Sequence, residues 1–131
     1  MRASDPSEWP IDEAALEAIS LGAAILGTGG GGSPYIGWLR TRRQLRDGRR
    51  IRVVGLDDLN DDDLIIPTSS IGAPTVSNEK IERGDECLRA VEVLEDYLGR
   101  RAAAVITDEI GGSNALEPMI VAALKDIVVV D

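Results

Sequence analysis

Histidine and phenylalanine are absent from this 131-residue sequence, cysteine occurs once, and the aromatics amount to two Trp and two Tyr. Without histidine, a Ser-His-Asp triad or a histidine-rich metal site is excluded within the chain. Acid–base chemistry is left to Asp, Glu, Lys, Tyr, Cys or a partner segment. The one cysteine, Cys87, cannot close an internal disulfide. It falls at the edge of a helical apolar stripe with no histidine to activate it, and is read as a packing residue rather than a nucleophile. No hydrophobic run is long enough to span a bilayer and no apolar signal core opens the chain, so the cytoplasm is the simplest location. Positive charge is also scarce. The balance of 14 Lys+Arg against 23 Asp+Glu, net -9, opposes attraction to phosphate backbones and anionic membranes, so neither nucleic acid nor membrane is expected as a partner.

The basic residues are concentrated in one stretch, Arg40, Arg42, Arg43, Arg46, Arg49, Arg50 and Arg52, with Asp57, Asp58, Asp61, Asp62 and Asp63 close behind. Such runs usually face water, so this one is read as a solvated helix face and its loop rather than an anion site. The length suits one domain with one core. Residues 1–10 show no periodicity and are expected to be a flexible lead-in, with a single α/β domain over 11–131. Asp12 is placed to cap a helix running to Leu26, where Leu16, Ile19, Ala23 and Leu26 recur at helical spacing. A second helix is expected from Pro34 to near Gly48, so the N-terminal unit is helix, glycine loop, helix. Ile51 to Val54 and Leu64 to Ile66 read as strands, with a turn or short helix in between. Ser69 to Arg83 reads as a loop, and Leu88, Val91, Leu94 and Leu98 mark a third helix ending near Gly99. Strands at Ala102 to Ile106 and Ile127 to Val130, with a helix at Asn114 to Lys125, complete the pattern. The expected fold is a small, three-layer-like α/β domain with a mostly parallel sheet. In such sheets ligands sit beyond the carboxyl ends of strands, where the chain stops at Asp131.

Three segments are suited to chemistry. Thr28 with the four glycines Gly29 to Gly32 exposes backbone N–H groups just ahead of a helix N-terminus, an arrangement suited to an anion or oxyanion. A flexible connector or tight turn is the competing reading, though four glycines are entropically costly to order. The loop follows a helix, and it is neither a P-loop nor a dinucleotide fingerprint, so ATP and NAD are disfavoured. In the second segment Glu79 and Lys80 bring opposite charges into a loop beyond a strand, as a functional pair or an ordinary exposed one. In the third, Glu109 precedes Gly111, Gly112 and Asn114. The paired glycines permit close backbone approach, and Asn114 is either part of a site or a helix cap. Glu109 is the best single candidate for acid–base or metal-ligand work. At a strand end beside a glycine loop it is expected to be partly desolvated, with its pKa raised. The sequence leaves room for a divalent metal without showing a ligand set.

Taken in order, Leu26 to Tyr35, then Gly72-Ala73-Pro74 with Glu79-Lys80, then Glu109 to Ala115, resemble the N-terminal domain family of S-methyl thiohydantoin desulfurases. The resemblance runs from about Ile11 to Asp131. It implies a larger enzyme of which this chain is a truncated part or a natural small subunit, completed by a C-terminal domain or partner subunit. The implied activity is hydrolysis at a carbon flanked by nitrogens in a thiohydantoin or hydantoin-like ring, with relatives in hydantoinase and oxoprolinase systems. The backbone donors of Gly30 to Gly32 would stabilise developing negative charge while Glu109 moves protons or helps hold a metal. Two alternatives stand beside this: a noncatalytic module that binds a small anion or docks a partner, and a remnant without function of its own. Oligomer formation stays open.

Overall fold

A computed structural model describes residues 8–72 and 74–131. The first strand, β1 (Trp9–Pro10), lies within the expected lead-in and pairs antiparallel with β2 (Arg52–Val54), so the domain starts earlier than residue 11. Proline is tolerated there because β1 is an edge strand, whose outer side needs no donor. Residues 1–7 of the lead-in lie outside the described residues.

Helix α1 (Glu13–Gly27) begins where expected: the Asp12 side chain accepts a hydrogen bond from the Ala15 amide at 2.7 Å. Helix α2 (Pro34–Arg46) opens on a proline, whose missing N–H costs nothing in the first turn. After β2 a 3-10 turn at Leu56–Asp58 leads to β3 (Ile65–Pro67). Within the expected loop over 69–83 the chain makes a short helix, α3 (Pro74–Glu79). Then follow α4 (Glu86–Leu98), β4 (Ala104–Ile106), a 3-10 turn at Gly112–Ala115, α5 (Glu117–Lys125) and β5 (Val128–Val130). The helix expected from Asn114 is therefore two elements. It restarts beside Pro118, which can occupy only the first turn of a helix.

The sheet order is β1-β2-β5-β4-β3, parallel throughout except at β1. Strand alternation splits the core. Val53, Val129, Val105 and Ile66 join Leu16, Leu116, Met119 and Val121 in the main cluster, which the helices build. Val54, Ala104 and Val130 form the other cluster, where Leu59 from the β2–β3 connection supplies a thin third layer. This is the small, mostly parallel α/β domain that the strand and helix pattern predicts.

Two buried ion pairs tie the helices together. Glu95 of α4, 1% exposed, accepts from Lys125 Nζ at 2.8 Å, Arg101 Nη1 at 2.9 Å and the Ala102 amide at 2.8 Å. Burial pushes its carboxyl up, but these donors outweigh burial and hold it down at about 2. Glu117 of α5, 2% exposed, pairs with Arg40 of α2 at 2.6 Å. Arg40 thus leaves the solvated basic face and turns inward. The other α2 arginines behave as expected of a surface: Arg42 and Arg46 reach Glu13, and Arg43 reaches Asp47.

Candidate functional site at the glycine loops

The two glycine segments meet each other. A Cβ on Gly27 would lie 2.8 Å from the Gly112 amide nitrogen, and one on Gly31 or Gly112 would overlap the backbone of the other segment. Gly31 (φ 73) and Gly112 (φ 67) also occupy the left-handed region, so both the conformation and the contact require glycine. Gly111 and Gly112 are buried by this packing. Both pack against the first glycine loop; Gly111 still lines the cleft described below, whereas Gly112, expected like Gly111 to face a ligand, does not.

The outer side of the first loop is different. Thr28 takes a left-handed conformation (φ 47) and ends α1, its amide donating to Ile25 O at 3.3 Å. The Gly30 amide donates to Gly27 O at 2.7 Å and is therefore occupied. Among the described residues no acceptor meets the amides of Gly29, Gly31 and Gly32. The free donors are thus Gly29, Gly31 and Gly32, rather than the Gly30 to Gly32 set expected. Gly29 and Gly32 are exposed and Gly31 half-buried.

Asn114 holds this arrangement together. Its amide nitrogen donates to Gly31 O at 3.1 Å, and its side-chain oxygen accepts from the Ser70 amide at 2.9 Å and hydroxyl at 3.1 Å. Its side-chain nitrogen donates to Ser70 O at 3.1 Å and to the Glu109 carboxylate. Asn114, 4% exposed, is therefore no helix cap: α5 has no side-chain cap, and Asn114 instead joins the loops after β3 and β4 to the glycine loop. Thr107 reinforces the turn, its hydroxyl accepting from the Glu109 amide at 3.1 Å and lying 3.1 Å from Asn114 O.

Glu109 is exposed, so the partial desolvation expected of it is absent; the loop projects it past the end of β4. It does share a cleft of about 230 Å³ with Gly27, Gly30, Gly31 and Gly111. Leu26 and Ile110 complete that cleft and also wall a second, largely apolar cavity of about 230 Å³ beneath α1. Glu79 ends α3 and Lys80 follows it, both exposed, and neither lines the glycine cleft. Among the described residues no three Asp, Glu or Cys side chains gather where they could hold a metal ion. Cys87 is half-buried and its thiol is pushed up to about 12, first by burial and then by the charge of Glu117, in keeping with a packing role. Among the described residues no helix is long and apolar enough to cross a membrane.

A family model described as S-Me-THD-like, N-terminal domain, matches residues 14–131. A crystal structure of a protein from Chromobacterium violaceum is similar, with a TM-score of 0.69 and 25% identity over 94% of this chain. The chain spans 34% of the length of that structure. No curated protein matches the chain.

Proposed function

This chain belongs to the S-Me-THD-like N-terminal domain family, and we propose that it is the N-terminal segment or subunit of a cytoplasmic hydrolase of thiohydantoin or hydantoin-like rings. The observation that carries this reading is the pairing in one cleft of the Gly31 backbone, whose amide has no acceptor among the described residues, with a carboxylate acceptor, Glu109; the amides of Gly29 and Gly32, likewise without an acceptor among the described residues, flank Gly31 in the same loop. A hydantoin-like ring alternates C=O acceptors with N–H donors along its edge, which complements that set. In an S-methyl thiohydantoin, water adds at the carbon flanked by two nitrogens and a C–O bond forms. The C–S bond breaks, methanethiol leaves with one of water's protons, the other passes to the ring nitrogen, and a ring carbonyl remains. Glu109 would take the proton from water and return it to sulfur, and the glycine amides would stabilise the negative charge that develops on the ring.

A second reading, a noncatalytic module for a small anion or a docking partner, is favoured by the exposure of Glu109 and by the chain spanning 34% of its structural relative. The Glu109 carboxylate weighs against an anion, because a like charge in the same cleft repels it. The test is methanethiol release from S-methyl thiohydantoin, measured for the chain alone and with a polypeptide corresponding to the rest of that longer architecture. Glu109→Gln should lower turnover by at least about 100-fold. Unchanged turnover in Glu109→Gln would show that Glu109 is not the proton carrier.

A further inference from the structure

Gly22 lies inside α1, where glycine costs helix stability relative to alanine. Packing does not require it: a Cβ at Gly22 would meet nothing within 4 Å, and its backbone is not left-handed. It lines the cavity of about 230 Å³ beneath α1, with Ala23, Val53, Met119 and Val129 among the other walls. A side chain at position 22 would start at that wall and take up its space, so the missing Cβ keeps the cavity open. A cavity of about 150 Å³ lined by aliphatic side chains already accommodates benzene, so this one has room for more than a methyl or methylthio group. Leu26 and Ile110 line both this cavity and the glycine cleft, so an apolar half and a polar half lie next to each other at these two side chains. Thr107 also lines the apolar half, and its hydroxyl is bonded to the Glu109 amide of the polar half.

From this juxtaposition we infer that the apolar cavity is a specificity pocket for the hydrocarbon substituent of the ligand held at the glycine cleft. The inference rests on the ring reading above for the identity of that ligand. The ligand class it names is a hydantoin-type ring whose tetrahedral carbon carries a group of isobutyl to benzyl size. Gly22 is then a specificity-determining position, and Leu26 and Ile110 form the rim between ring and substituent.

The experiment is calorimetric titration of the chain with unsubstituted hydantoin, 5-isobutylhydantoin, 5-benzylhydantoin and toluene. Affinity should rise by about tenfold or more from hydantoin to the benzyl compound. Gly22→Leu should remove that gain while leaving hydantoin itself unaffected. Gly22→Ala should raise the melting temperature by about 3 °C, which guards against misreading a folding defect. A substituent gain that is absent, or that survives in Gly22→Leu, overturns the pocket while leaving the ring reading intact. Toluene binding that Gly22→Leu abolishes, with no hydantoin bound, keeps the pocket and overturns the ring reading. Failure of every probe, toluene included, overturns the inference and leaves the cavity to a polypeptide side chain.

Discussion

Replacing Glu95 by glutamine should expose how much of this fold depends on one buried carboxylate. Glu95 is 1% exposed and receives hydrogen bonds from Lys125, Arg101 and the Ala102 amide, linking α4 to the end of α5. Its carboxyl sits at about 2 against an ordinary value of 4.5. At about 1.4 kcal/mol per tenfold change in proton affinity, that difference is worth about 3 kcal/mol at neutral pH. Arg101 is largely solvated and loses little, but Lys125, with 15% of its side chain exposed, would be left charged and unpaired. The sign follows from the lowered folded value. The contribution is complete above the unfolded value of 4.5 and fades as pH falls towards 2. Urea unfolding of wild type and Glu95→Gln at neutral pH should therefore differ by about 3 kcal/mol, and near pH 3 by only about 1 kcal/mol. Taking the difference between the two proteins cancels the other carboxylates. A gap that is the same at both pH values, or below about 1 kcal/mol at neutral pH, would refute the reasoning.

The remaining predictions concern the site. Gly112→Ala forces a Cβ into the Gly31 backbone and should cost about 3 kcal/mol in urea unfolding, whereas Gly29→Ala, with open space around it, should cost about 1 kcal/mol. Equal costs would mean that the two glycine segments do not pack. Asn114→Ala strips the buried tie between three loops and should lower stability by about 2 kcal/mol while accelerating hydrogen exchange at the Ser70 amide. Unchanged exchange there would contradict the tie. Cys87, its thiol at about 12, should react with a disulfide reagent at pH 8 at least about 100-fold more slowly in the folded chain than in urea. Comparable rates would remove the packing assignment.

The parts of this fold that depend on local chemistry are legible in the sequence. Asp12 caps α1, Pro34 opens α2, and the β-branched runs become β2, β3, β4 and β5. The parts that depend on distant partners are not. Trp9–Pro10 is too short a strand to show a period and is recognisable only through its pairing with Arg52 and Val53. Gly72, Pro74 and Asn78 signal a loop, yet Pro74 also suits the first position of a helix, which is what forms. The glycines at 27–32 and 111–112 are visible as motifs, but their mutual contact spans about 80 residues of sequence and turns half of each from ligand surface into support. Asn114 precedes a helix and so resembles a cap, while its partners Ser70 and Gly31 lie far off in the chain. The inward turn of Arg40 to Glu117 is hidden for the same reason, among arginines that otherwise face water. Glu109 was legible as a candidate from its place after a strand. Its exposure depends on how far the loop projects, which spacing does not reveal.

The most direct test of the glycine cleft is an amide-resolved NMR titration of the chain with unsubstituted hydantoin, following Gly29, Gly31, Gly32 and Glu109. A saturable shift is expected at the Gly31 amide, larger than at the Gly30 and Glu109 amides, which are already bonded to Gly27 O and the Thr107 hydroxyl. Shifts confined to other surfaces, or none at millimolar ligand, would contradict it.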